Sequence, residues 1–134
     1  MKKTIVIIGV LLMGFTGFSQ NKNAKATIEV DGVCGMCKER IEKATIRAKG
    51  VKTAEWNVET HELKLIYNEG KTDLTKIQQS IADSGHDTQD IKAEDKIYNA
   101  IDPCCKYRDP KVVDDHKDGG HGMQSRIYPS SKFL

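Results

Sequence analysis

The sequence predicts an α+β fold: a four-stranded antiparallel sheet covered on one face by two helices, in the order βαββαβ. Three observations predict it. Apolar and polar residues alternate over residues 26–31, 54–58 and 63–67, as they do in half-buried strands. Two segments between them carry apolar stripes at helical spacing, each closed by a glycine, Gly50 or Gly85. The elements fall into two halves within about 70 residues, spanning 24–93, enough for a small core. This is the ferredoxin-like arrangement.

The first strand covers residues 26–31, with Ala26, Ile28 and Val30 on one side. Residues 32–36 read as a loop. From Cys37 the period becomes helical: Ile41, Ala44, Thr45 and Ala48 form one stripe, and Glu39 with Lys43 makes a favourable i,i+4 pair on the wet face. Ala54, Trp56 and Val58 mark the second strand; Leu63, Leu65 and Tyr67 mark the third. Thr60-His61-Glu62 joins them as a hairpin. Trp56 and Tyr67 are core candidates, and His61 is expected to meet solvent. After a turn at residues 68–71, Thr72 or Asp73 can cap a second helix, whose buried face is Leu74, Ile77 and Ile81 with Ala82 beside them. Residues 88–93 read as a weak last strand with Gln89, Ile91 and Ala93 on one side.

Two flanking segments stand outside this pattern. Residues 1–19 have a basic start (Lys2, Lys3), an uncharged apolar run and small residues before Gln20, the order of a cleavable secretory signal peptide. The run is short for a membrane span, so no membrane attachment is expected after cleavage. Residues 94–134 lose apolar periodicity and read as a flexible C-terminal tail, with one ordered element expected at residues 93–100. Removing Lys2 and Lys3 brings the 21 basic residues level with the 19 acidic ones. No basic cluster interleaves with aromatics, so nucleic acid is not an expected partner.

The chemistry lies in the four cysteines. Cys34-Gly35-Met36-Cys37 opens the first helix. Unpaired N–H groups and the positive end of the helix dipole favour thiolate there, and thiolate is the form that binds soft metals or attacks disulfides. Two thiolates suit a d¹⁰ ion such as Cu(I) or Hg(II) and leave it open to a partner's thiolate, whereas structural zinc wants four ligands. Export would place the thiols in an oxidising compartment, where an even cysteine count suggests disulfides. The two tight pairs, 34/37 and 104/105, do not resemble staples spread through a core, although a disulfide between Cys34 and Cys37 remains an alternative. Adjacent Cys104 and Cys105 are poorly placed to bond each other. They can add thiolates to the metal, bind a second ion, pair with another chain or stay as ordinary thiols. His116, His121 and Met123 are further side chains that suit copper, or simply parts of a solvated tail.

Four motifs follow one another in a set order: Val30-Asp31-Gly32-Val33-Cys34-Gly35-Met36-Cys37, Gly50-Val51, Thr72-Asp73-Leu74 and Gly85-His86-Asp87. By these, residues 26–93 resemble the heavy-metal-associated (HMA) domain of copper chaperones, copper-ATPase N-terminal modules and periplasmic mercury-binding proteins. The resemblance implies metal binding by Cys34 and Cys37. The family usually has a Met before the loop's Thr-Cys, packed under the loop; here Val33 precedes Cys34. His86 stands where Tyr, Phe or Lys is common. Some bacterial copper chaperones of the family have a His in this loop beside the metal, so His86 is a candidate third ligand or a modulator of release. The other reading is a surface His after a helix cap.

The resulting expectation is an exported, periplasmic, non-enzymatic metal carrier. Its cargo is Cu(I), with Hg(II) or Zn(II) as alternatives, passed by ligand exchange to or from a partner such as a metal-transporting ATPase. A metal-bridged dimer is a further option for an open two-thiolate site. Rival readings are a periplasmic mercury-binding protein, a thiol–disulfide oxidoreductase and a protein adaptor. The thioredoxin pattern puts an aromatic before the first Cys and a cis-Pro opposite the pair. Here Val33 precedes Cys34 and no Pro occurs before Pro103.

Overall fold

The computed structural model describes residues 22–118. Residues 1–19, expected to be a signal peptide, and the candidate copper-suited residues His121 and Met123 lie outside the described residues. The order is β1 (Asn23–Glu29), α1 (Gly35–Arg47), β2 (Val51–Trp56), β3 (Glu62–Asn68), α2 (Leu74–Ala82), α3 (Asp95–Ala100), a 3₁₀ turn (Pro103–Cys105) and α4 (Pro110–Asp118). Among the described residues, no helix is long and apolar enough to cross a membrane.

The α+β class is as expected. β3 lies between β1 and β2, antiparallel to both, with Ile28 opposite Leu63 and Trp56 opposite the same residue on the other side. Leu63, Leu65 and Tyr67 share one face of β3 and are buried, whereas Lys64 on the other face is exposed. That inner face packs with Ile41 of α1 and Ile77 and Ile81 of α2 in one core. Asp73 caps α2, its side chain accepting from the Lys76 N–H at 2.9 Å. Ser80 donates to the Ala44 carbonyl and ties the two helices together.

Two expectations are corrected. The sheet has three strands among the described residues, not four: residues 88–93 contribute only an isolated bridge, Val30 with Thr88. The cause is local. The Thr88 N–H donates to the Ile91 carbonyl, the Ile91 N–H donates back to the Thr88 hydroxyl, and the Ala93 N–H goes to the Asp87 carboxylate. Groups that a ladder needs are thus consumed in a turn, the usual competition from a short hydroxyl side chain.

The element expected at residues 93–100 is helix α3, but the rest of the expected flexible tail is also folded, through residue 118. Tyr98, Ile101 and Cys105 enter the core. Polar groups do the rest. Arg108 donates to both oxygens of Asp87, at 2.6 and 3.0 Å, and to Asp95 and the Ala93 carbonyl. Its guanidinium also lies over the Tyr98 ring. The Tyr107 hydroxyl donates to the Gly85 carbonyl and accepts from the Asp87 N–H. Gly85 has φ +99°, and a Cβ there would come within 2.5 Å of the Ile101 side chain. The glycine that ends α2 therefore also lets this C-terminal arm, residues 94–118, lie flat against the domain.

Candidate metal centre

β1 and the loop after it set the first sulfur. The Asp31 N–H donates to the Asp87 carbonyl, and the Trp56 indole N–H donates to the buried Val30 carbonyl at 3.0 Å. Gly32 is needed for closeness: a Cβ there would sit 3.0 Å from both the Cys37 Cβ and the Trp56 Cη2. Gly32→Ala should therefore cost about 1–3 kcal/mol, the usual penalty for forcing a methyl into filled space. A urea midpoint matching that of the parent protein would refute this. Cys34 is the N-cap of α1, with an extended backbone, and Cys37 lies in the first turn on the buried stripe.

All four cysteines are thiols rather than disulfides. The Cys34 sulfur is 3.4 Å from that of Cys37 and 3.7 Å from that of Cys105. The sulfurs of Cys34, Cys104 and Cys105 lie within 4.8 Å of one another, and Cys104 is 3.5 Å from the Met36 sulfur. Cys37 and Cys105 are fully buried, Cys34 is half-buried and Cys104 is exposed. The Cys37 thiol, hydrogen-bonded to Cys34, holds the Cys34 thiol down at about 5 against the opposing effect of burial. The same hydrogen bond, then burial, pushes Cys37 up. Burial pushes Cys105 up to about 12. At neutral pH the arrangement is one thiolate, Cys34, flanked by two thiols. A soft cation meets a preformed anionic sulfur with further sulfurs in reach.

The other expected residues divide. His86 is not on the surface: it is fully buried, with its Nδ1 2.8 Å from the Asp31 carbonyl oxygen, and it stacks on Tyr107. Its Nε2 is buried without a partner, and burial holds its pKa below the usual value. It lies outside the sulfur group. His116 is exposed on α4, with Nε2 3.0 Å from the Cys104 carbonyl oxygen. Sequence reasoning missed Tyr107 and Arg108, and held Asp87 only as a motif residue; together the three hold the arm against the metal loop. The available signal was the run of Tyr98, Ile101 and Tyr107 in an otherwise polar segment.

Residues 27–87 match the heavy-metal-associated domain. The copper chaperone CopZ of Staphylococcus saprophyticus is 31% identical over 67 residues, which is 49% of this chain and 98% of the relative. The chain belongs to the heavy-metal-associated domain family. A copper-exporting P-type ATPase of Staphylococcus haemolyticus is 36% identical over 72 residues, 53% of this chain but only 9% of that protein's length. Among solved structures, oxidized MerP from Ralstonia metallidurans CH34 is similar, with 25% identity and a TM-score of 0.48 over 50% of this chain and 94% of that one. The matched heavy-metal-associated segment ends at residue 87 and does not reach Cys104 or Cys105.

Proposed function

We propose that this protein binds Cu(I) through Cys34 and Cys37 and passes it on by ligand exchange. The observation that carries the reading is a pair of reduced thiols 3.4 Å apart at the N-terminus of α1, inside a heavy-metal-associated domain. Copper chaperones among the relatives support Cu(I) as cargo, with Hg(II) and Zn(II) as competing ions. In transfer, a partner thiolate forms a bond to the ion while the bond to Cys34 breaks, and the released Cys34 sulfur remains a thiolate. No substrate bond is made or broken, so the role is that of a carrier. The relative that is a copper-exporting ATPase supports a metal-transporting ATPase as the kind of partner. The basic, apolar, small-residue order of residues 1–19 supports export to a periplasm-like compartment.

Anaerobic titration of the reduced protein with Cu(I) tests the reading. Cys34→Ser/Cys37→Ser is expected to lose stoichiometric uptake; undiminished uptake would overturn the assignment. The unequal thiols favour one second reading, a thiol–disulfide oxidoreductase, because a lowered Cys34 beside a raised Cys37 suits a nucleophile and its resolving partner. Insulin reduction at catalytic protein concentrations would favour that enzyme over the carrier.

A further inference from the structure

We propose that the C-terminal arm completes the metal centre, with Cys105 as a third thiolate ligand beside Cys34 and Cys37, and Cys104 as the exposed sulfur through which the ion is exchanged. This rests on the Cys34/Cys37 reading and changes its character. An open two-thiolate carrier becomes a self-closed centre that holds its ion until the arm yields.

Distances favour the closed form. With a metal–sulfur bond of about 2.3 Å, linear coordination needs sulfurs about 4.6 Å apart; trigonal and tetrahedral sets need about 4.0 and 3.8 Å. Cys34 lies 3.4 Å from Cys37 and 3.7 Å from Cys105, close to the higher-coordinate sets and well short of the linear one. Position favours it as well. Cys105 is fully buried, yet its sulfur lies against the half-buried Cys34. The turn that carries it is held at both ends. Asp102 accepts from Arg40 on α1, and the Arg108–Asp87 pair clamps the chain just after it. Cys104, next along that turn, is exposed, within 4.8 Å of both Cys34 and Cys105 and against Met36.

Charge balance supplies a separate argument. Three thiolates on one Cu(I) leave a net negative centre, which needs nearby donors. Arg40 Nη1 is a buried guanidinium nitrogen without a partner among the described residues. Arg40 lies one turn after Cys37 and is bonded to the Cys105 turn. Each thiol that joins the ion releases its proton to solvent. The ion stays Cu(I), and in exchange one copper–sulfur bond forms as another breaks.

The test uses the full reduced chain loaded anaerobically with Cu(I). X-ray absorption should report three sulfurs on copper in the unaltered protein and two in Cys105→Ala, a change that adds no buried hydroxyl. Competition with a bicinchoninate probe should show binding about 100-fold weaker in Cys105→Ala, the upper end of what losing a supporting partner costs a metal site. Two sulfurs and equal affinity in both proteins would overturn the inference while leaving the Cys34/Cys37 reading intact. Uptake that survives Cys34→Ser/Cys37→Ser would sink both. If Cys105→Ala folds poorly, Cys104→Ala separates the neighbours: three sulfurs retained there support Cys105 as the third ligand, and two overturn it.

Discussion

Trp56→Ala is expected to destabilise the domain by about 3–5 kcal/mol. A small domain has only about 5–15 kcal/mol to lose, so a sizeable fraction of molecules would unfold in mild urea. Trp56 has no exposed surface, and its ring packs against the core and the backbone at Gly32. Its indole N–H also satisfies the Val30 carbonyl at the start of the metal loop. The alanine variant therefore removes both the floor of the loop and a hydrogen bond within it. Trp56→Phe separates the two losses. It keeps most of the packing but leaves a buried carbonyl unpaired, at about 1–3 kcal/mol. Denaturant midpoints for the pair of variants measure both, and a change below about 1 kcal/mol for alanine would show that the loop is held by something else.

Arg108→Ala is the second large effect, expected to cost about 2–3 kcal/mol because several charge-assisted hydrogen bonds end at once. The loss should be local. Amides of residues 95–118 would exchange faster, while those of β3 keep their protection. It should also depend on pH. Burial raises the Asp87 carboxyl, but hydrogen bonds from Arg108 and the Ala93 N–H outweigh it and hold the group below its ordinary value. A depressed folded value means that the stabilisation is complete above the unfolded carboxylate pKa of about 3.9 and is lost as pH falls through the folded value. The gap between the parent protein and Arg108→Ala should thus be full at neutral pH and narrow below about pH 4. Asp31, raised by burial and by neighbouring Asp87, acts in the opposite sense. It is present in both proteins, so the comparison largely removes it. A gap that stays constant down to pH 2 would show that the Arg108–Asp87 contact does not carry the effect.

Local features are legible in the order of residues. The stripe Ile41, Ala44, Thr45 marks the buried face of α1, and Asp73 and Gly85 mark the ends of α2, because caps and periodicity act within a few residues. Boundaries are less legible. β1 begins at Asn23, where Asn23, Ala24 and Lys25 pair with Asn68, Tyr67 and Ile66 without a clear alternation of their own. The missing fourth strand turns on one hydroxyl, that of Thr88, finding partners within its own turn. His86 reads as a loop residue on the surface. Its burial comes from Tyr107, which lies 21 residues further on and stacks on its ring.

The sequence by itself determined that two thiols stand at the head of a helix in an α+β domain, since spacing, capping and helix polarity are all short-range. Only the tertiary structure decided that a third sulfur, from a residue 71 positions away, meets the first. The physical reason is that a polar segment gains its place through matched charges and single ring contacts: Arg108 on Asp87, Arg40 on Asp102 and Tyr107 on His86. Composition counts such groups but does not say which of them will meet.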